Sequence, residues 1–176
     1  VTAEEVVAAL LHMKSGKAPG PDGLPVEIYK RFREQLAPAL SALFTHMWQV
    51  LDTPEGITYG LISQLFKQVQ RVHPTHYRPL TLLNTDYRVL ARLLSDRALP
   101  GLDRMIPHTQ SAFLPGRNIG NSSLLLQLLP HGLKMDRRAA IVIFLDFCKA
   151  YDTVDRGFLF AVMQRVGFPT SFINMA

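Results

Sequence analysis

The fold is decided by the stretch Ile141-Val-Ile-Phe-Leu-Asp-Phe-Cys-Lys-Ala-Tyr-Asp-Thr-Val-Asp155. An uninterrupted apolar run from Ala139 to Leu145 leads into it and predicts a strand over Ala139–Phe147 that is buried on both faces. Asp146 then stands where the strand leaves the core, at the kind of crevice in which open sheets bind ligands. A carboxylate there suits Mg²⁺, which prefers oxygen ligands. On the residues alone, the alternative that Asp146 only caps the next turn stays open.

Two further carboxylates follow the predicted strand. Asp155 directly precedes a predicted helix over Arg156–Val166, and aspartate is a favoured N-cap residue. Asp155 is therefore predicted to be structural. Asp152 lies in the turn beyond the strand end, and on the residues alone its role stays open.

The remaining chain predicts mostly helices. Thr2 and Glu5 have the spacing of a capping box, which marks the start of a helix. Apolar spacing and the distribution of proline and glycine predict the other elements. These are helices from Thr2 to about Met13, from Pro25 with Ile28, Phe32 and Leu36 on its apolar face, after Pro38, over Thr85–Leu99 and over Ser122–Leu129, a strand over Ile57–Lys67, and irregular segments over 14–23, 73–79 and 100–120.

The basic charge of the chain is concentrated in its middle third. The formal net charge is +5 over 176 residues, and residues 60–120 carry 8 Lys or Arg against 3 Asp or Glu. Such a stretch suits contacts with phosphates, which do not depend on base sequence. Its candidate residues are Arg71, Arg78, Arg88, Arg92, Arg97, Arg104 and Arg117, although Arg92 and Arg97 are expected only to solvate a helix face.

Cysteine content and hydrophobicity exclude several classes of protein. Cys148 is the only cysteine, so a disulfide framework and a cysteine-based zinc finger within the chain are excluded. No apolar run approaches the roughly 20 residues that span a bilayer. An intracellular protein, in the nucleus or the cytoplasm, is expected. The chain begins with Val and ends in an apolar stretch, so a fragment of a longer polypeptide is also expected.

Four blocks of sequence resemble the successive motifs of non-LTR retrotransposon (LINE-type) reverse transcriptases. The order and spacing of the four blocks carry the resemblance, which covers nearly the whole chain. The blocks are Lys17-Ala-Pro-Gly-Pro-Asp-Gly23, Tyr77-Arg-Pro-Leu-Thr-Leu-Leu-Asn84, Gln110-Ser-Ala-Phe-Leu-Pro-Gly-Arg117 and Leu145-Asp-Phe-Cys-Lys-Ala-Tyr-Asp152.

The resemblance implies a role for eight residues. Asp146 would be the first catalytic, metal-binding aspartate, with the Phe147 backbone carbonyl in the same metal shell. Tyr151 would pack under the incoming sugar. Lys67 and Arg78 would bind the nucleotide triphosphate. The remaining three residues would face the template, and these are Gln110, Phe113 and Arg117.

The resemblance also implies the architecture. It predicts an α+β fold, the fingers and partial palm of a right-hand polymerase, helix-rich and with a truncated antiparallel palm sheet. Residues 1–138 would form the fingers and a connecting region, and residues 139–176 the start of the palm. The implied cofactor is Mg²⁺ or Mn²⁺. The implied partners are an RNA template, a DNA primer and a deoxynucleoside triphosphate. The missing remainder of the palm and the thumb are also expected partners, and no membrane is expected to be one.

The resemblance implies RNA-directed DNA polymerase activity for the parent protein. Two-metal phosphoryl transfer needs several carboxylates, and no Asp-Asp pair occurs in the chain, so we expect these residues alone to be catalytically inactive. One alternative is a non-catalytic nucleic-acid-binding remnant. Another is a different metal-dependent phosphotransferase or nuclease that uses Asp146 with Asp152.

Overall fold

The computed structural model describes residues 1–67, 76–137 and 139–175. It is a helix-rich α+β structure with one two-stranded antiparallel sheet among these residues. In chain order the elements are α1 (Ala3–His12), α2 (Val26–Arg31), α3 (Arg33–Val50), β1 (Gly60–Phe66), β2 (Tyr77–Leu83), α4 (Thr85–Met105), α5 (Ile119–Met135), α6 (Arg156–Arg165) and α7 (Thr170–Met175). No helix in the described ranges is long and apolar enough to cross a membrane.

The chain divides into two compact units. The first unit comprises Val1–Arg97 with the chain end from Asn174, and the second comprises Ala98–Ile173. These units are defined by the compactness of the structure, whereas the division into fingers and palm near residue 138 was implied by the resemblance. That division stays a prediction.

The core lies in the first unit. Val6 and Leu10 of α1, Phe44 and Met47 of α3 and Val89 of α4 are almost fully buried. Burial of each such side chain contributes about 1.5–3 kcal/mol. The capping box predicted for Thr2 and Glu5 is present and starts α1 as expected. These helices are therefore held by a shared apolar centre.

The predicted apolar stripe of Ile28, Phe32 and Leu36 is only partly confirmed. Leu36 packs against this core, whereas Ile28 and Phe32 are exposed. The helix breaks at Phe32 rather than at Pro38, and the short α2 buries Val26 and Tyr29.

Three prolines lie inside helices, where the sequence predicted boundaries. Pro38 lies in α3, Pro100 in α4 and Pro130 in α5, and all three are exposed. Proline removes one helical hydrogen bond, but an exposed carbonyl can bond to water instead. As a result α4 extends to Met105 and α5 to Met135, beyond the predicted ends.

The hairpin of β1 and β2 confirms one predicted strand and adds another. β1 lies within the predicted Ile57–Lys67 strand, whereas Tyr77–Pro79 was expected to be irregular and begins β2. Pro79 faces Gln64, one step beyond the pair Leu65–Arg78 and three steps from the hydrogen-bonded pair Lys67–His76. Antiparallel pairs alternate between bonded and non-bonded, so Pro79 occupies a non-bonded position and its missing N–H breaks no bond of the hairpin.

The predicted strand over Ala139–Phe147 is not formed. Residues 139–147 have no regular secondary structure, and Ile141, Phe144 and Leu145 are each about four-fifths or more exposed. A strand needs a hydrogen-bonded neighbour, and none of the described strands pairs with this segment. The prediction of a buried strand from the apolar run is therefore wrong, and no described strand of the sheet lies in this segment.

The loop over 14–24 packs against the junction of β2 and α4. The Asp22 amide donates to the Asn84 Oδ1 at 3.2 Å, and the Thr85 hydroxyl donates to the Leu24 carbonyl at 2.8 Å. Gly20 lies against the Asn84 backbone, where a Cβ on residue 20 would be only 2.6 Å from the Asn84 Cα. The first two sequence blocks are therefore in direct contact.

Gly20→Ala is expected to destabilise the first unit. The added methyl would overlap backbone atoms of Asn84 that cannot rotate away, and overpacking of this kind costs about 1–3 kcal/mol. Urea denaturation followed by circular dichroism measures the change. Gly132→Ala is the matched control, because a Cβ there meets nothing within 4 Å and alanine favours a helix. An equal or smaller loss for Gly20→Ala than for Gly132→Ala would contradict the close packing.

Candidate functional site

Lys67 and Arg78 lie at the end of the hairpin where β1 ends and β2 begins. Arg78 faces Leu65 across the hairpin, and the Lys67 amide donates to the His76 carbonyl at 2.7 Å, which continues the same register beyond Phe66. Both side chains are exposed. The register therefore sets the relation between the two cations.

The two cations project from the same face of the hairpin. Directly opposite residues share a face, as do residues two apart on one strand. Arg78 is two residues beyond His76, the direct partner of Lys67, so Lys67 and Arg78 are diagonal neighbours. Diagonal neighbours lie about 7–8 Å apart, within reach of long side chains. A triphosphate could contact both cations, since arginine offers a forked donor and lysine a mobile point charge.

Arg117 is held inside the second unit. Its side chain is only 9% exposed and forms an ion pair with Asp103, with 3.0 Å between the Nη2 and Oδ1 atoms. The guanidinium also donates to the backbone carbonyls of Asp103, Ile106, Pro107 and Gln110. These bonds join the end of α4 to the loop that follows it. The predicted role of Arg117 in facing the template stays a prediction, but its donors are already engaged with the protein.

Phe113, in contrast, is presented to solvent. Its side chain is 84% exposed, and its backbone has a φ of +67°, which is uncommon for a residue other than glycine. The neighbouring Leu114 is the only buried apolar side chain among the described residues of the second unit. Gln110 is also exposed, and its side-chain amide lies 3.5 Å from the Ala112 carbonyl. Of the three predicted template residues, Phe113 and Gln110 are accessible.

Asp146, Phe147 and Tyr151 follow one another along an exposed segment. The Phe147 and Tyr151 rings are each more than 80% exposed, and Asp146 is exposed as well. Tyr151 and Asp152 lie in a turn in which the Asp152 amide donates to the Lys149 carbonyl at 2.9 Å. As predicted, Asp155 caps α6, its Oδ1 accepting from the Phe158 amide at 2.8 Å.

The surroundings of Asp146 do not form a metal centre by themselves. Within the described ranges, no group of three or more His, Cys, Asp or Glu side chains could hold a metal ion. Mg²⁺ is often bound by one or two carboxylates together with substrate phosphates. Asp146 therefore fits as a single ligand in a site that needs other groups to complete it, and no reaction step follows from it alone.

The basic residues of the middle third differ in the groups that they contact. Arg92 pairs with Asp96, and Arg97 pairs with Glu5, with 2.8 Å between its Nη2 and the Glu5 Oε2. The Arg97 guanidinium also lies 5.4 Å from the centre of the Trp48 ring. Arg92 and Arg97 were expected only to solvate a helix face, but both form ion pairs within the protein. Arg71 lies outside the described residues.

Three other members of this set form no ion pair with a described residue. Arg88 donates to the Ala18 carbonyl at 3.3 Å. Arg78 and Arg104 are exposed and form no ion pair with any residue that the structure describes. The charge available to an anionic ligand is therefore smaller than the sequence count indicates.

Asp103 and Asn84 have structural roles that were not predicted from the sequence. Asp103 binds Arg117, and Asn84 binds the loop over 14–24. Asp103 lies in the last turn of α4, where a negative charge is unfavourable because helix C-termini carry partial negative charge. That misplaced carboxylate is a signal that a cation lies nearby. No comparable signal marks Asn84, because its contact with Gly20 joins residues 64 positions apart.

These observations agree with the comparison with protein families. The model of the family "Reverse transcriptase (RNA-dependent DNA polymerase)" matches residues 67–176 of the chain. The match begins at Lys67 and includes all eight candidate residues. The chain belongs to this family, and the resemblance to LINE-type reverse transcriptases is confirmed.

Curated relatives are similar to nearly the whole chain. The Transposon TX1 uncharacterized 149 kDa protein of Xenopus laevis is 30% identical over 174 residues, which is 99% of this chain and 13% of the relative. The retrovirus-related Pol polyprotein from type-1 retrotransposable element R2 of Popillia japonica is 27% identical over 175 residues, 99% of this chain and 23% of the relative. The chain thus spans less than a quarter of the length of either relative.

The ion pair of Glu5 and Arg97 is expected to make stability depend on pH. The Arg97 hydrogen bond and the Thr2 amide lower the pKa of Glu5 below its ordinary 4.5. The stabilising contribution is therefore present above about pH 4.5 and is lost as the pH falls through the lowered pKa. Because the pair is partly exposed, solvent screening limits its contribution to about 1 kcal/mol or less.

Glu5→Gln isolates this contribution, since glutamine can also complete a capping box. We expect the free energy of unfolding of the variant to be lower than that of the wild type at pH 7, with the difference shrinking below pH 4.5. Arg97→Met should give the same pH profile. A difference that stays constant from pH 7 to pH 3 would show that the ionised pair is not responsible.

Proposed function

We propose that this chain, a reverse transcriptase domain of the non-LTR retrotransposon type, supplies the nucleotide-binding and template-binding part of an RNA-directed DNA polymerase. The observation that carries the proposal is the placement of Lys67 and Arg78 as diagonal neighbours on one exposed face of the hairpin. Neither side chain forms an ion pair with a described residue. Two such cations can contact the phosphates of one triphosphate.

In the proposed complex, Lys67 and Arg78 hold the triphosphate of an incoming deoxynucleotide. Tyr151 would pack under the sugar, and Gln110 and Phe113 would contact the RNA template. The partners would therefore be an RNA template with its DNA primer and a deoxynucleoside triphosphate. Residues up to about 138 would belong to the fingers of the polymerase, and residues 139–176 would begin its palm.

Asp146 and the Phe147 carbonyl would be the ligands that this chain offers to Mg²⁺ or Mn²⁺. When bound, such an ion would stabilise negative charge on the transferring phosphate and favour deprotonation of the primer 3′-hydroxyl. Asp146 is exposed and can meet a nucleotide without rearrangement of a buried core. Its role is to hold and orient, together with groups that complete the site.

Binding without chemistry is the second candidate for the chain taken alone. It is favoured by the absence, among the described residues, of any group of three possible metal ligands. The sequence also contains no Asp-Asp pair. We propose that these residues bind nucleic acid and nucleotide, and that catalysis belongs to a longer protein.

Lys67→Met and Arg78→Met are each expected to weaken the binding of a deoxynucleoside triphosphate about 10-fold to 100-fold, because charged hydrogen bonds contribute roughly 1.5–3 kcal/mol. Isothermal titration in Mg²⁺ measures the dissociation constant. The loss should be small for the corresponding monophosphate, which lacks the outer phosphates. Arg104→Met is the matched control, because Arg104 is likewise exposed. Equal losses for all three variants would indicate a nonspecific charge effect and contradict the site.

No DNA synthesis is expected from the purified chain in a primer-extension assay with an RNA template, a DNA primer and Mg²⁺. The physical reason is that a two-metal transfer needs more carboxylates than Asp146 supplies. A product that disappears in Asp146→Asn would contradict this expectation. A product that persists in Asp146→Asn would indicate a contaminating polymerase. The chain is therefore purified repeatedly until the amount of product no longer changes.

A further inference from the structure

The end of α4 and the loop after it are joined by a single side chain. Arg117 donates to the carbonyl of Asp103 in the last turn of α4 and to the carbonyls of Ile106 and Pro107 beyond it. Carbonyls at a helix C-terminus lack helical partners and carry partial negative charge. The Arg117 guanidinium gives these carbonyls hydrogen-bond donors and places a positive charge beside their partial negative charge.

Asp103 gives this arrangement its ionic part. Its Oδ1 atom accepts from the Arg117 Nη2 at 3.0 Å and from the Nε at 3.3 Å, so one carboxylate oxygen engages two donors of the guanidinium. The Arg117 side chain is 9% exposed, whereas the Asp103 side chain is 54% exposed. Arg117 is thus covered and anchored, and we call the pair the Asp103–Arg117 clamp.

The clamp closes a loop that presents Phe113. The Arg117 guanidinium also donates to the Gln110 carbonyl at 3.1 Å. This bond joins the two ends of the loop over residues 110–117. Within the loop Leu114 is buried while Phe113, at a φ of +67°, is 84% exposed. Burial does not hold the Phe113 ring in place, so its position depends on the loop backbone.

We propose that Asp103 and Arg117 are positioning residues, which act on the template through Phe113 and not through contact between Arg117 and a phosphate. The proposal rests on the proposed function, because it takes the ligand of Phe113 to be an unpaired base of the template. Bases stack on aromatic side chains of this kind in single-strand binding proteins. The clamp would keep the ring oriented before the strand arrives.

Limited chymotrypsin digestion tests the clamp without any ligand. Chymotrypsin cleaves after exposed aromatic residues when the surrounding segment opens, and Phe113 is exposed. We expect Asp103→Asn and Arg117→Met to increase the rate of cleavage there at least about fivefold, since a loop released from its contacts opens more often. Arg92→Met removes another ion-paired arginine of α4 and should leave the rate unchanged.

Binding of a single-stranded RNA oligonucleotide to the full chain tests the route of action. Fluorescence anisotropy is measured over a series of salt concentrations. We expect Phe113→Ala to weaken binding at least about fivefold, because the base can no longer stack on the ring. Asp103→Asn should also weaken it, although this change removes a negative charge and would strengthen binding to a polyanion if charge alone mattered. Phe113→Ala combined with Asp103→Asn should bind no more weakly than Phe113→Ala.

The salt dependence separates a positioning role of Arg117 from direct binding to the strand. If Arg117 bound a phosphate, Arg117→Met would reduce the slope of log K against log salt by about 0.7. The clamp predicts an unchanged slope with weaker binding at every salt concentration. A reduced slope in Arg117→Met, or undiminished binding by Asp103→Asn, would overturn the proposal.

The digestion also keeps this proposal separate from the proposed function. Failure of the wild-type chain to bind RNA would contradict the proposed function, while faster cleavage in both clamp variants would still support the clamp. Unchanged cleavage in both variants would overturn the clamp even if RNA binds. Thermal melting of each variant identifies general unfolding, and Arg117→Lys, which keeps the charge but not the forked geometry, should give an intermediate cleavage rate.

Discussion

The contact between Gly20 and the Asn84 backbone is the constraint on which the first unit depends. Only a residue without a Cβ lets the 14–24 loop approach the junction of β2 and α4 so closely. That approach brings the Asp22 amide to Asn84 and the Thr85 hydroxyl to Leu24. Asn84 marks the end of β2 and the start of α4. The hairpin that carries Lys67 and Arg78 is therefore anchored at the end remote from these cations, which leaves their face open to solvent.

The second unit depends on polar contacts more than on burial. Leu114 is its only buried apolar side chain among the described residues, so the hydrophobic effect can hold little of its loop structure. The bonds of Arg117 to Asp103 and to four backbone carbonyls provide the alternative. Charge thus has two uses in this chain. Arg92, Arg97 and Arg117 stabilise the protein itself, while Lys67 and Arg78 are placed where an anionic ligand can reach them.

Local signals predicted the local structure well. The capping box of Thr2 and Glu5, the cap formed by Asp155 and the strand before Lys67 were all identified from a few neighbouring residues. Several errors lie beside prolines. Helix boundaries were predicted next to positions 38, 100 and 130, but these exposed prolines lie inside helices, where water can replace the missing hydrogen bond. Proline was also expected to exclude a strand at Pro79, where the register makes the missing donor harmless.

By itself, the sequence determined the family, the helix-rich character of the chain and the residue types of the candidate site, because motifs and helix signals lie in short stretches of chain. The tertiary structure alone decided which of these residues meet. It placed Lys67 and Arg78 on one face, enclosed Arg117 against Asp103 and left residues 139–147 unpaired with either of the described strands. Register, ion pairing and strand pairing each join positions that are distant in sequence, and no local pattern records whether the partner is within reach.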